Sequence, residues 1–339
     1  QHKELVERLF TSGLIKMLFT TETFALGINM PARSVVFSSL RKFNGIGFDV
    51  MTTREYQQMS GRAGRQGIDT EGLVYAVMDD RRTNMGDIKK LMSNDVEPVQ
   101  SRFNLSYSSL INLHGRLGDQ IYSAWERSFN NFQWAKMSRK KREQNRNKQV
   151  SLIKKKLSIL HELEYIDDNG ILPKGKVASL INGYELQSTE LLFSGLFDWL
   201  DEIQINIILG AVVFEERRSD LFRRLDKKWL GDHRHDAENY IERIIALERS
   251  HGIRSTLNRL NFKIGSIMAA WSEGASITDL GNHSNASPGD LVRTFRLTIQ
   301  LLRQIRKAMP PNAKLAEKLK MSIARLNRDE ADATRQMEV

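Results

Sequence analysis

The residues whose types and spacing most clearly suit chemistry run from Glu55 to Gly67: Glu-Tyr-Gln-Gln-Met-Ser-Gly-Arg-Ala-Gly-Arg-Gln-Gly. Arg62 and Arg65 each follow a glycine directly, Gly61 and Gly64. A guanidinium is a planar fork of donors that matches phosphate oxygens and keeps its charge. A neighbouring glycine removes the side chain that would hold a bulky anion off the backbone. The three-residue step predicts that both arginines share one side of a helix. The pattern suits a polyphosphate held between two positive forks. Its structural alternative is a solvated basic turn.

A second such stretch runs from Thr20 to Ala32: Thr-Thr-Glu-Thr-Phe-Ala-Leu-Gly-Ile-Asn-Met-Pro-Ala. It follows Ile15 to Thr20, which reads as a buried strand, so it occupies a loop at a strand's carboxyl end. Open α/β sheets bind their ligands there. Hydroxyls and N–H groups at a helix start suit phosphate oxygens. An ordinary strand–helix connection with a capping threonine would read the same way.

The elements that must position these stretches follow from periodicity. His2 to Ser12 places Leu5, Val6, Leu9 and Phe10 at helical spacing, and Gly13 closes that helix. Ile15 to Thr20, Ser34 to Ser38 and Gly72 to Met78 read as strands. Strands alternating with helices predict a parallel sheet with crossover helices. The sheet pattern stops after Asp79 and Asp80. Leu152 to Leu163 is an amphipathic helix followed by a hairpin-like turn at Tyr165 to Leu172, the pairing a winged helix needs. From Val177 onward the spacing is helical: Thr189 to Leu200, Ile203 to Arg218, Ala237 to Arg249, Thr256 to Trp271 and Pro288 to Lys307. The expected fold class is α/β followed by mainly α.

With Gln58 leading it, the string ending at Gly67 resembles motif VI of superfamily 2 helicases, closest to the superkiller, exosome-associated DExH RNA helicases. Thr20 to Ala32 resembles motif V of the same family. Val99 to Tyr107 resembles the segment leading into the family's winged-helix domain. Glu190 to Phe197, Val213 to Arg217 and Trp271 to Ser276 resemble its C-terminal helical domain of the DSHCT type. The resemblance implies the end of a second RecA-like domain at 1–93, a winged helix at 94–180 with a short basic insertion, and a helical bundle at 181–339.

It further implies an ATP-dependent RNA helicase unwinding 3′ to 5′ in RNA processing or decay. Arg62 and Arg65 would act as arginine fingers, and Gln58 would position a water or the phosphate. Gly27, Asn29, Gly61 and Gly64 would complete the ATP contacts with those arginines. Thr20 and Thr23 would touch the RNA backbone. ATP with Mg²⁺ is the implied cofactor. Single-stranded 3′ RNA tails, and exosome-like or other nucleases, are the implied partners of a monomer. A non-catalytic RNA-binding module and an ATP-dependent DNA helicase are the alternatives, since the motifs alone do not separate ribose from deoxyribose.

A motor also needs a phosphate loop and a magnesium-binding acidic strand end. Gly170 to Lys176 has the phosphate-loop spacing, but Val177 stands where a metal-binding hydroxyl is required. Asp329-Glu-Ala-Asp332 spells an acidic box in the wrong order relative to motif VI. His233, His235 and Asp236 read as a turn beside Gly231, and no metal site is expected in this chain. The chain opens on Gln1 within a helical pattern. The phosphate loop and magnesium ligands are therefore expected in residues outside it, and the chain alone is expected to be inactive.

Among the 339 residues there is no cysteine, which excludes disulfides and thiolate metal sites and fits a cytoplasmic protein. No apolar run reaches the ~20 residues of a membrane helix, so no membrane association is expected. The net charge of +10 points to a polyanionic partner. Most of it lies between Lys136 and Lys156, where ten basic residues face one acid, Glu143. A second basic stripe follows Ser287-Pro-Gly-Asp290, a helix-start signal. Arg293, Arg296, Arg303 and Lys307, with Gln300 between them, recur at helical steps, opposite a stripe of Leu291, Phe295, Thr298, Leu302 and Ile305. In the family the matching helix lies along the RNA path, which makes Arg293, Arg296 and Arg303 candidate RNA contacts.

Overall fold

The computed structural model describes residues 2–21, 30–43, 48–79, 84–93, 95–99, 101, 105–135, 137–217, 219–254, 257–310 and 313–332. The chain forms two compact units, Gln1–Gln100 and Ser101–Val339.

In the first unit, α1 (His2–Thr11) is followed by β1 (Ser34–Phe37), β2 (Arg41–Phe43), β3 (Phe48–Val50), α2 (Thr53–Ser60), β4 (Leu73–Ala76) and α3 (Met85–Met92). Strands β1 and β4 pair in parallel, Ser34 opposite Leu73 and Phe37 opposite Ala76. Parallel neighbours need a crossover, and α2 lies within the segment that connects them. Strands β2 and β3 form an antiparallel hairpin, with Arg41 opposite Val50. Phe37, Leu40, Met51 and Leu91 make the core, with Val35, Val50, Tyr56, Met59 and Ile88 against it.

The strand expected at Ile15 to Thr20 does not form. This segment has no ladder partner among the described residues, and Phe19 is 89% exposed. A strand exists only by exchanging backbone bonds with a neighbour. Here Ile15 N–H instead donates to Leu9 O at the end of α1 (3.0 Å).

The second unit is helical around one continuous core. It opens with α4 (Tyr107–Leu117), α5 (Ile121–Glu126), α6 (Phe129–Trp134) and α7 (Arg139–Glu162). A hairpin of β5 (Ile166–Asp167) and β6 (Gly170–Ile171) leads to α8 (Pro173–Ser179). Asn169 N–H donates to Asp167 Oδ1 (2.9 Å), the local bond that makes Asp a turn former. The phosphate-loop look-alike is thus a hairpin tip plus a helix start. A Cβ on Gly175 would sit 2.0 Å from Tyr165 O, so its glycine serves close packing rather than a phosphate.

Beyond it come α9 (Glu185–Phe193), α10 (Leu196–Trp199), α11 (Glu202–Val213), α12 (His233–Ser250), α13 (Gly265–Glu273), α14 (Pro288–Ala308) and α15 (Lys314–Leu326). Helix α11 is apolar nearly all round, as a fully buried helix must be, and packs on α13, α14 and α15. Its one central polar side chain, Asn206, donates to Ser272 Oγ and Ser322 O (both 3.1 Å). Trp271 of α13 stacks on Phe295 of α14 with centroids 4.6 Å apart. Among the described residues no helix is long and apolar enough to cross a membrane.

Candidate functional site

Helix α2 is fixed at both ends before it reaches the arginines. Thr52 accepts from Glu55 N–H while the Glu55 carboxylate accepts from Thr52 N–H, a reciprocal capping box. Glu97 adds a carboxylate at the same end, accepting from Thr53 N–H (2.7 Å) and Arg54 N–H (3.3 Å). Two backbone donors at the positive end of a helix dipole favour the ionised acid. The Thr53 bond first, then Glu97's own backbone N–H and that of Arg54, lower the Glu97 pKa to about 2. Tyr56 stacks on Phe37 of β1 at 5.3 Å, seating α2 on the sheet. Gln58 then faces outward and is exposed.

The arginines do not share a helix face. Helix α2 ends at Ser60, and Gly64 turns the chain with φ +89°, a conformation that breaks helical continuation. Arg62 and Arg65 therefore sit on a turn beyond the helix, Arg62 half-buried and Arg65 exposed. The three-residue step falls beyond the helix: α2 ends at Ser60, capped by Gly61, before either arginine.

That turn is bonded to the end of the other motif. Ala32 N–H donates to Arg62 O (2.9 Å) and Gly64 N–H donates to Ala32 O (2.7 Å), an isolated parallel bridge of Ala32 with Ala63. Gly72, just before β4, lies beneath it: a Cβ there would be 2.5 Å from Ala63 C and O. The loop after α2 is thus tied to the segment preceding β1 and pressed against the start of β4. Thr20 is exposed, and its hydroxyl donates to Thr21 O (3.2 Å). Thr23, Gly27 and Asn29 lie outside the described residues.

Arg65 already has an anion. Its Nε and Nη2 donate to Asp69 Oδ2 and Oδ1 (2.8 and 2.9 Å), and its backbone N–H donates to Oδ2 (2.9 Å). These bonds, the Arg65 side chain first, lower the Asp69 pKa to about 2. Sequence reasoning missed Asp69, although an acid four residues after Arg65 was visible. Glu97 had no such signal, since its partners lie more than 40 residues earlier in the chain.

On α14, Ser287 caps the helix by accepting from Asp290 N–H, and Pro288 takes the first turn. Leu291, Phe295, Thr298, Leu302 and Ile305 are buried. Arg293, Gln300, Arg303 and Lys307 are exposed, lining shallow grooves with Arg296 and Leu297. Arg296 differs from its neighbours. Its Nη2 donates to Glu330 O (2.9 Å) and its Nε to Ala331 O (3.2 Å), so it holds the turn that contains the acidic-box look-alike. Arg303 Nη2 reaches Asn327 Oδ1 at 3.4 Å.

Residues 1–67 match the Helicase conserved C-terminal domain, and residues 168–330 match the DSHCT (NUC185) domain. Through these two matches the chain is similar to the C-terminal region of Ski2-like DExH RNA helicases. It is similar to "Superkiller complex protein 2" of Homo sapiens, 45% identical over 130 residues, 38% of this chain and 10% of that protein. It is similar also to "Exosome RNA helicase MTR4" of Homo sapiens, 49% identical over 112 residues, 33% of this chain and 11% of that one. With "DExH-box ATP-dependent RNA helicase DExH11" of Arabidopsis thaliana it shares 38% identity over 159 residues, 47% of this chain and 11% of the relative. The chain covers only 10% and 11% of the length of these relatives.

Proposed function

We propose that this chain supplies motifs V and VI and the RNA exit path of an ATP-dependent 3′-to-5′ RNA helicase acting in RNA processing or decay. The observation that carries the reading is the Ala32–Ala63 bridge, which fastens the end of one candidate motif to the arginine-bearing loop of the other. Such a bridge lets a movement at the RNA-contacting stretch reach the arginines through backbone bonds rather than through a long side chain. Arg62 and Arg65 stabilise charge on the transferring γ-phosphate. Gln58, exposed on the last turns of α2, orients a water or that phosphate. Asp69 holds Arg65 until a phosphate with more negative charge competes for the fork. Gly27, Asn29, Gly61 and Gly64 line the ATP, and Thr20, Thr23, Arg293 and Arg303 meet RNA.

Magnesium is held by residues of a first RecA-like domain outside this chain, so the chain alone turns over no ATP. The similarity to exosome and superkiller helicases supports single-stranded 3′ tails as substrate and an associated nuclease as partner. Domain boundaries near residues 93 and 180, a monomeric state and a cytoplasmic location complete the reading. The test is Arg65→Ala in the full-length protein. RNA-stimulated phosphate release should fall by ~10³ or more, while RNA binding stays within about twofold. Normal hydrolysis with lost RNA binding would overturn the assignment.

A further inference from the structure

The basic run between Lys136 and Lys156 is one block in the sequence and two in the folded chain. Lys154 Nζ lies over the Tyr122 ring at 5.8 Å, and Lys155 donates to Gly252 O (3.2 Å). Lys156 donates to Leu105 O (2.7 Å) and covers the Tyr107 ring at 4.9 Å. Those three lysines are tied to the core. The cations from Arg139 to Lys148 are all exposed, and among the described residues the one ion pair there joins Arg146 to Glu126.

Arg139, Lys140, Lys141 and Arg142 fill the first turn of α7, which contains no acid, and Ser138 makes no side-chain cap bond. Cations at the positive end of a helix dipole, beside one another, are unfavourable on both counts. A local rule broken without compensation inside the fold points to a partner outside it. The partner that removes this cost is a polyanion.

Helix α6, which packs against α7 and ends just before it in the chain, supplies the second half of the chemistry. Phe129 and Phe132 of α6 stack with centroids 6.0 Å apart and planes 20° apart, yet are 51% and 66% exposed. Met137, between the two helices, is 49% exposed. Exposed aromatic faces beside a cationic track are what sequence-tolerant single-strand binding uses: bases stack, phosphates follow the charge. A duplex offers no free base faces, and an acidic protein surface would need the charges without the rings.

We propose that α6 and the amino-terminal half of α7 form a single-stranded RNA platform on elements other than α14, with bases on Phe129 and Phe132 and phosphates along Arg139 to Arg142. The proposal rests on the RNA-binding reading above, and its test separates the two. Binding of labelled oligouridine to the 339-residue chain is measured by anisotropy across a salt series, for the parent and three variants. Arg139→Gln/Lys140→Gln/Lys141→Gln/Arg142→Gln should flatten the slope of log affinity against log salt by up to about 2.8, at ~0.7 per phosphate. Its thermal midpoint should hold or rise, because the crowded first turn is relieved. Phe129→Ala/Phe132→Ala should weaken binding about fivefold or more while leaving the slope unchanged. Arg293→Ala/Arg303→Ala tests α14 alone. Parent-like slope and affinity in both α7 and α6 variants, with loss only in the α14 variant, would sink the platform and keep the helicase reading. Displacement of RNA by polyglutamate as readily as by unlabelled RNA, or a Phe variant with parent affinity, would also sink it. A parent chain that binds no RNA would remove both.

Discussion

The unit ending at Gln100 and the unit beginning at Ser101 are ordered by different forces. The larger buries Trp125, Trp271, Tyr165, Phe197 and Phe295 almost completely in a continuous core. The smaller has a core of four buried apolar side chains and leaves Leu14, Met17, Phe19, Val36, Tyr75 and Val77 exposed. What shapes the arginine loop is directional: the Ala32–Ala63 bridge, the Thr52–Glu55 capping box, and the Glu97 carboxylate on the start of α2. The difference teaches how each candidate site is kept. The loop is held by polar bonds that phosphate or proton can compete for, whereas the cationic stripe of α14 is carried by a helix its core will not release.

The largest test of that contrast is Trp271→Ala. The ring stacks on Phe295, its Nε1 donates to Leu326 O (3.0 Å), and the Arg328 guanidinium lies 3.8 Å over it. Its loss should cost about 3–5 kcal/mol. In a unit of this size that lowers the midpoint seen by calorimetry by on the order of 10 °C. Amide exchange in β1 and β4 should stay unchanged. Protection lost together in both units would mean that they are not independently ordered.

The smaller unit has its own test in Glu97→Ala, which removes the acceptor of two amides at the start of α2. Exchange at Thr53 and Arg54 should rise about fivefold, the effect of ~1 kcal/mol of lost capping. Amides of α11 should not respond. Acid should act likewise. Folding depresses the Glu97 pKa from 4.5 to about 2, so its contribution is complete above the unfolded value and is lost as pH falls toward 2. NMR of the Thr53 amide between pH 5 and pH 2.5 follows that loss.

This division also marks what was legible beforehand. The stripe from Leu291 to Ile305 is buried as its spacing requires, because a large core imposes period on sequence. The helix expected from Thr256, by contrast, starts only at Gly265, and that expected over Thr189 to Leu200 is broken after Phe193. The hairpin at Ile166 to Ile171 was legible from its turn residues. The strand at Ile15 to Thr20 was not legible as it stands, since apolar composition says nothing of whether a ladder partner is present. The two motifs were recognisable as strings, but their geometry was not. Their arginines lie on a turn after α2, which ends at Ser60 and is followed by Gly64 at positive φ. The Arg65–Asp69 pair was one charge-pattern check away, whereas Glu97 and the Ala32–Ala63 bridge depend on contacts between distant segments.

The finest test lies within the α14 stripe, where sequence made Arg293 and Arg296 equivalent and the fold does not. Arg296 donates through Nη2 and Nε to Glu330 O and Ala331 O, both backbone acceptors of the last described turn. Removing its guanidinium leaves two carbonyls to find water, at a cost of about 1–2 kcal/mol for bonds with a charged donor. Arg296→Ala should therefore lower the midpoint of the second unit by a few degrees, and Arg296→Lys should recover only part, since one ammonium cannot serve both positions of a planar fork. Arg293 is exposed, and Arg293→Ala should leave stability within ~0.5 kcal/mol. Its effect should be on RNA alone, flattening the single-strand salt slope by about 0.7. Paired melting curves and salt titrations decide it. Equal destabilisation by the two variants would show that the stripe is structural throughout. Equal slope changes with unchanged melting would show that the carbonyl contacts of Arg296 yield to RNA, as the Arg65–Asp69 pair is proposed to yield to phosphate, and the contrast between the two units would then be one of core size only.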